Sequence, residues 1–237
     1  MPTDPGVPFA DFAQVHAQIS EACRGVKTLT TELALSGRAG AQRLRGRVVA
    51  GFARPASMRL EGVAPFGPAF ILATNGEAAT LLLPRDQRVV RNEPAEAILG
   101  ALTGVDLAPA DLQAILTGCV AADPNPTGGR MHQNNWASID LAGGARLFLQ
   151  RQNNAWQLRA ATRAGWQLEY PVWQGRFPQT VRLRADRSGV VVDLAATLSQ
   201  IEANVPIEER AFTVEVPAGA SALTLGELRD AGPLRGQ

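Results

Sequence analysis

Residues Leu29–Phe70 read LTTELALSGRAGAQRLRGRVVAGFARPASMRLEGVAPFGPAF, and their hydrophobic period is two. Leu29, Thr31, Leu33 and Leu35 alternate with Thr30, Glu32, Ala34 and Ser36. Arg43, Arg45 and Arg47 then alternate with Leu44, Gly46 and Val48, and the apolar set continues through Ala50 and Phe52. Successive side chains on a strand point to opposite faces, so the pattern predicts antiparallel strands with one apolar and one wet face. Ser57–Val63, Ala69–Thr74, Ala79–Pro84 and Gln87–Val90 continue the series. The breaks at Arg54-Pro55, Ala64–Pro68, Asn75-Gly76 and Pro84–Asp86 carry hairpin chemistry.

Upstream of this sheet the period changes. Phe9, Phe12, Val15, Ile19 and Cys23 recur at three- and four-residue spacing, which predicts an amphipathic helix over 9–23 that stops at Gly25. Asp11, Gln14, Gln18 and Glu21 fall on its polar side. Downstream, a helical insertion over 93–118 holds Glu93–Leu102, with Ala97, Ile98 and Leu102, and Pro109–Leu116, with Leu112, Ile115 and Leu116. Pro109-Ala110-Asp111 suits a first helical turn.

Asp123–Arg130 (DPNPTGGR) reads as a flexible connection, and strands fill 131–216. The two-residue period returns at Leu147 and Leu149, Trp156 and Leu158, Trp166, Leu168 and Tyr170, Val181 and Leu183, and Val190, Val192 and Leu194. A last strand at Ala211–Val216 and a short helix about Leu223–Arg229, within a C-terminal extension over 217–237, complete the chain. The expectation is one domain over 1–237, with a leading helix, about ten strands in hairpin order and a helical insertion, because no linker divides it.

Composition bounds the function. The chain has 237 residues and 25.1 kDa, with 46% hydrophobic, 19% charged and 5% aromatic residues. Lys+Arg 23 against Asp+Glu 22 gives a net charge of +1. Neutralising nucleic-acid phosphates takes a concentrated basic surface, so a general nucleic-acid binder is excluded. All basic residues except Lys27 are arginine, and they alternate along strand-like runs without clustering. No stretch reaches the roughly 18–20 uninterrupted apolar residues of a membrane span. Met1–Pro8 (MPTDPGVP) has neither the basic nor the apolar region of a secretion signal, so either the protein is cytoplasmic or a leader has been removed. Leu116-Thr117-Gly118-Cys119 spells a lipoprotein box, but mid-chain and with no leader before it.

Catalytic signatures are sparse. There is no glycine-rich phosphate loop, nucleophile elbow or metalloprotease helix motif. His16 falls on the polar side of the first helix and reads as solvated; His132 precedes Gln133-Asn134-Asn135, with no nucleophile or metal ligand nearby in sequence. Glu208-Glu209 reads as solvated charge. Trp136, Trp156, Trp166 and Trp173 lie in strand-like segments, and Trp156 and Trp166 share a face with leucines, as core or cavity lining would. Cys23 and Cys119 are too few for a structural zinc site; they are either a disulfide, which an oxidising compartment would favour, or two buried thiols. The Ala64–Pro68 connection, APFGP, puts Phe66 between turn-formers, where it either folds back onto the core or stands out as an apolar probe.

Several of these runs resemble the outer-membrane lipoprotein receptor LolB and its superfamily. Met58–Phe70 (MRLEGVAPFGPAF) followed by Ala79–Leu83 is similar to the LolB strand, Pro-Leu-Gly turn and hairpin. The likeness continues through Ile98–Gly104 (ILGALTG), Leu107-Ala108-Pro109, Leu112–Gly118 (LQAILTG), Gly165–Tyr170 (GWQLEY) and Pro178–Leu183 (PQTVRL). Ala211–Gly219 (AFTVEVPAG) looks more like the end of the periplasmic carrier LolA. Together these motifs span most of Ser36–Gly219, and their order is more specific than any one of them.

The resemblance implies an α+β fold: an incomplete β-barrel, a strongly curved antiparallel sheet with lid helices over its concave apolar face. It implies binding of lipid or lipoprotein acyl chains without a cofactor or metal, at the outer membrane or in the periplasm. A periplasmic carrier and the inner leaflet of the outer membrane would be partners, and the chain is expected to be monomeric and not an enzyme. Phe66 stands in the place of the family's exposed leucine, and so would be the membrane-contacting residue. The phenylalanine, the longer C-terminal extension and the missing lipidated N-terminal cysteine are departures, and the last leaves anchored receptor and soluble carrier both open.

On this basis the cavity liners are Leu33, Leu35, Val48, Phe52, Met58, Leu60, Phe70, Leu72, Leu81, Leu83, Trp156, Leu158, Trp166 and Leu168. The lid residues are Ile98, Leu102, Leu112, Ile115 and Leu116. Two other classes compete. An enzyme on the same half-barrel, as in the violacein-pathway enzyme VioE, would need a polar cluster inside the concavity, around His132 or Tyr170 for instance. An envelope assembly protein would hold a partner peptide in a groove too shallow for acyl chains.

Overall fold

The computed structural model describes residues 1–76, 78–120, 125–163, 165–187 and 190–234. In chain order its elements begin with β1 (Val7–Pro8), α1 (Phe12–Arg24), β2 (Thr28–Ala39), β3 (Gln42–Ala53), β4 (Ser57–Val63) and β5 (Ile71–Thr74). Then come β6 (Ala79–Leu83), β7 (Arg88–Glu93), α2 (Ala95–Thr103), α3 (Pro109–Thr117), β8 (Pro126–His132) and β9 (Trp136–Leu141). The series ends with β10 (Arg146–Gln152), β11 (Ala155–Arg163), β12 (Trp166–Gln174), β13 (Phe177–Arg187), β14 (Val190–Ala203), β15 (Ser221–Ala222) and α4 (Leu225–Ala231). The class is α+β, and the strands pair antiparallel except for the two-residue parallel contact of β15 with β7. No pairing among the described residues joins the first strand of the order to the last, so the sheet is not closed into a barrel.

Packing divides the chain into two compact units, Met1–Val26 with Ala114–Gly189, and Lys27–Gln113 with Val190–Gln237. Each is assembled from segments far apart in sequence, which is why no shift in composition marks the division.

In the second unit the strands run β14-β2-β3-β4-β5-β6-β7-β15. Register sets the apolar face in rows: Leu29 opposite Phe52, Phe52 opposite Met58, and Met58 opposite Thr74. The next row is Thr31, Ala50, Leu60, Leu72, Leu81 and Val90. These residues are buried, while Arg43, Arg45 and Arg47 on the opposite face are exposed. The alternation therefore places the faces as the sequence predicts. Helix α2 packs on β6 and on α4, burying Ile98, Leu99 and Leu102.

The tail departs from expectation. Ala211–Val216 forms no strand; a 3₁₀ turn at Glu209–Phe212 stands there. Its alternation survives, with Phe212 buried and Thr213 and Glu215 exposed, but the segment lies over the arginine-bearing face and not along an edge. Arg59 reaches up from that face to donate to the carbonyls of Ala211 (2.9 Å) and Thr213 (3.0 Å), and Ile207 lies 4.0 Å from where a Gly51 Cβ would be. This cover explains why Ala73, opposite Arg59 in the ladder, is buried.

In the first unit the order is β1-β8-β9-β10-β11-β12-β13. Pro126–Arg130, expected to be flexible, belongs to strand β8; Asp123 and Pro124 lie outside the described residues. Local Gly and Pro content hides this strand, yet Gly129 has a packing purpose. A Cβ there would come within 2.4 Å of the Phe12 Cβ, so the glycine lets α1 close onto the sheet. Helix α1 starts at Phe12, three residues later than its periodicity suggests, because the Phe9 amide is bonded to the Gly129 carbonyl (3.1 Å). Its buried face takes in His16 as well as Val15, Ser20 and Cys23, so His16 is not the solvated residue expected. The face is simply wider than the apolar stripe.

Candidate ligand cleft and exposed loop

The expected cavity liners fall into two groups. In the second unit Leu33, Val48, Phe52, Met58, Leu60, Phe70, Leu72, Leu81 and Leu83 are all buried, and Leu35 is half-buried. Phe52, Met58, Leu72 and Leu81 expose no surface at all, so in this structure they are packed core. Gly62 makes room for Phe70, whose ring would lie 2.5 Å from a Cβ at that position. Of the lid residues, Ile98, Leu102, Ile115 and Leu116 are buried and Leu112 is half-buried.

In the first unit, Trp156, Leu158, Trp166 and Leu168 lie along one face. Leu158 pairs with Leu149, and after a bulge Ala161 pairs with both Leu147 and Leu168. The extra residue re-phases β11, so Leu158 and Ala161 face the same way despite their odd spacing. Trp156 and Leu158 then enter an open cleft of about 640 Å³. Its other walls are Gln18, Ile19, Ala22 and Cys23 of α1, Val26, Thr117–Cys119 beyond α3, the β10–β11 hairpin from Gln152, and Trp173, Gly175, Arg176 and Phe177. Trp166 and Leu168 are outside it.

Cys23 and Cys119 form a disulfide in the cleft wall, with Cα atoms 5.3 Å apart. It staples the last turn of α1 to the chain just beyond α3. The same corner is held by polar contacts. The buried Tyr170 hydroxyl donates to the Ile115 carbonyl (3.1 Å), and burial pushes its phenol well above the ordinary tyrosine range. The Trp173 indole N–H donates to the Leu158 carbonyl (3.0 Å), and its ring sits 5.9 Å from that of Tyr170. Gly118 ends α3 in the left-handed region (φ +70°), directly against Trp173. Sequence periodicity puts Tyr170 on the face of Leu168 but says nothing of Ile115, fifty-five residues away.

His132 does have a hydroxyl beside it, contrary to its sequence neighbourhood. Its Nε2 lies 2.9 Å from Ser138 Oγ, and its Nδ1 lies 3.1 Å from the Asp4 carbonyl and 3.3 Å from the Asp4 carboxylate. The arrangement has the order of a hydrolytic triad without its setting. Ser138 is only 3% exposed and is paired with Arg130 on one side and Phe148 on the other, so its backbone N–H belongs to the ladder and cannot form an oxyanion hole. His132, Arg130 and Ser138 also share the face opposite to that covered by α1, which packs over Gly129. The cluster ties the N-terminal segment to β8 and β9, with Arg130 donating to the Pro5 and Gly6 carbonyls. No group of acidic, histidine or cysteine residues suited to a metal occurs among the described residues.

At the β4–β5 hairpin the two phenylalanines part. Ladder bonds from Gly62 to Phe70 and from Ala69 to Gly62 close the neck of the loop, and Phe70 turns into the core. Phe66, next to Gly67 in the left-handed region (φ +94°), is 91% exposed, with Val63 half-exposed nearby. Of the two orientations the sequence allows, the exposed one is found.

No protein-family model matches the chain. No curated protein sequence matches it. Solved structures do. A LolA superfamily protein from Nitrosomonas europaea superposes with a TM-score of 0.55 at 12% identity, covering 84% of this chain and 97% of its own. A DUF1329 family protein from Desulfovibrio piger gives a TM-score of 0.53 at 11% identity over 87% and 97%. A domain named for outer membrane lipoprotein sorting, from Vibrio parahaemolyticus, gives 0.50 at 12% over 84% and 95%. At these identities the likeness is one of fold: the chain has the LolA-like α+β architecture.

Proposed function

We propose that this protein binds lipid or lipoprotein acyl chains in the bacterial envelope and takes part in lipoprotein transfer to the outer membrane, as a LolB-like receptor or a LolA-like carrier. The observation that carries the reading is Phe66, a phenylalanine 91% exposed at the tip of a closed hairpin loop. Loop tips meet water, and a bare aromatic ring there is suited to an apolar partner. The LolA-like fold, the cleft flanked by tryptophans and the Cys23–Cys119 disulfide support the same reading. Disulfides persist in oxidising compartments, which favours the periplasm or the periplasmic side of the outer membrane. Transfer needs no catalytic group, only an affinity that offsets about 0.8 kcal/mol per methylene withdrawn from the bilayer.

The test separates uptake from delivery. Delipidated and refolded protein is expected to rebind acyl chains, and Phe66→Glu is expected to keep that uptake. Insertion of a phenyl ring contributes about 2 kcal/mol, so Phe66→Glu should weaken binding to phosphatidylethanolamine–phosphatidylglycerol vesicles by at least about tenfold. A protein that binds no lipid, together with intact lipoprotein sorting in cells carrying Phe66→Glu, would overturn the proposal.

A further inference from the structure

The cleft of the first unit holds a charge that an acyl chain alone does not require. Its apolar walls are built from Ile19, Val26, Trp156, Leu158, Trp173 and Phe177, and Arg176 is the one charged side chain among the described residues lining it. The guanidinium makes two contacts there. One N–H donates to the Ala22 carbonyl at 3.4 Å, a carbonyl in the last turn of α1 that has no partner within the helix. The guanidinium carbon lies 4.9 Å from the centroid of the Phe177 ring.

Helix capping accounts for one of the five N–H donors of the fork. Arg176 is exposed where it lines the cleft, and no carboxylate pairs with it among the described residues. The planar fork of a guanidinium suits bidentate contact with a carboxylate or phosphate oxyanion. The cleft's volume of about 640 Å³ lies within the range that one small ligand fills.

We propose that this cleft takes a single-chain amphiphile with an anionic head group, the head on Arg176 at the mouth and the chain along the tryptophan wall. The inference rests on the acyl-binding reading above and adds the head-group class to it. Arg176 is a specificity residue under this assignment, because the apolar walls hold any chain of suitable length.

Titration below micelle concentration at pH 8, followed by tryptophan fluorescence, tests it with dodecanoate, dodecyl phosphate and dodecanol. Dodecanoate or dodecyl phosphate, or both, should bind about tenfold more tightly than dodecanol, as one charge-assisted fork contact implies, and their relative affinity distinguishes a carboxylate head from a phosphate head. Arg176→Gln should remove that difference, and Arg176→Lys should restore part of it. If all three probes bind equally and Arg176→Gln changes nothing, the anionic-head assignment fails while the acyl-binding reading stands. If none binds, both fail for this cleft.

Discussion

At Gly118 a single methyl group meets an immovable wall. Its backbone is left-handed (φ +70°), and a Cβ would lie 2.6 Å from the Trp173 ring and 3.2 Å from Pro178. Trp173 has little room to retreat, because its N–H is bonded to the Leu158 carbonyl and its ring rests near Tyr170. Gly118→Ala is therefore expected to destabilise the fold by on the order of 2–4 kcal/mol, from backbone strain and overpacking together. Tyr170→Phe keeps the packing and removes one of two bonds to the Ile115 carbonyl, which still accepts from the Gly118 N–H (3.2 Å), so a loss of about 1 kcal/mol is expected. Urea denaturation measures both, and equal stabilities for Gly118→Ala and the parent would show that the wall gives way. Single residues of this kind are the least legible from sequence. Gly118 sits in a run that reads as a lipoprotein box, and the ring that demands a glycine is fifty-five residues further on. His16 is a similar case: polar by type, it is buried with its Nε2 unpartnered, because the face α1 presents to the sheet is wider than its apolar stripe.

Elements were legible where one face meets water and the other meets the core. The alternation over Leu29–Phe52 placed β2 and β3 and their faces correctly, since a one-residue slip would have exposed Leu33, Val48 and Phe52 together. Strand β8 was hidden because its glycines serve α1, and the tail alternates because it covers a sheet face without joining a ladder. Helix α4 shows how a short element is fixed by its start. Thr224 and Glu227 form a reciprocal capping box, and Glu227 also accepts from Arg88 at 2.7 Å. The hydrogen bond from the Thr224 backbone, then that from Arg88, lowers the Glu227 carboxyl from its ordinary 4.5 to about 2. The folded state thus binds this proton less readily than the unfolded chain. The stabilising contribution is complete above about pH 4.5 and is lost as pH falls towards 2. An NMR titration of the Glu227 carboxyl carbon should show a midpoint near 2, and Thr224→Ala should move it upward towards 4.5. A Glu227 midpoint at the ordinary value in the intact protein would show that the capping box does not hold in solution.

Over the whole molecule, the nearly neutral and aliphatic composition has two destinations. Part is ordinary core, as in the closed rows of the second unit, and part lines the cleft of the first, where it remains open to a ligand. The alternation shows which face is apolar; it cannot show whether that face is filled, because filling depends on helices and a tail that arrive from elsewhere in the chain. The disulfide acts at this same scale. Cys23 and Cys119 are 96 residues apart, and the chain they enclose contains all of Lys27–Gln113, so the bond restricts the unfolded chain over a large fraction of its length. Loop closure of this size sets an entropic ceiling of about 4.7 kcal/mol, and with the usual shortfall of measured bonds from that ceiling a stabilisation of about 3 kcal/mol is expected. For a chain of this length that corresponds to a fall in Tm of roughly 10 °C in the Cys23→Ser, Cys119→Ser double variant, with the same fall in the parent under reductant. Both sulfurs also stand in the cleft wall, so loss of the staple should weaken acyl binding in the variant even at temperatures where it is fully folded. Calorimetry with and without reductant checks the first expectation, and fluorescence titration at low temperature checks the second. A double variant with unchanged Tm and unchanged acyl binding would mean that the bond holds neither the fold nor the cleft, and the corner would have to owe its shape to Tyr170 and Trp173 alone.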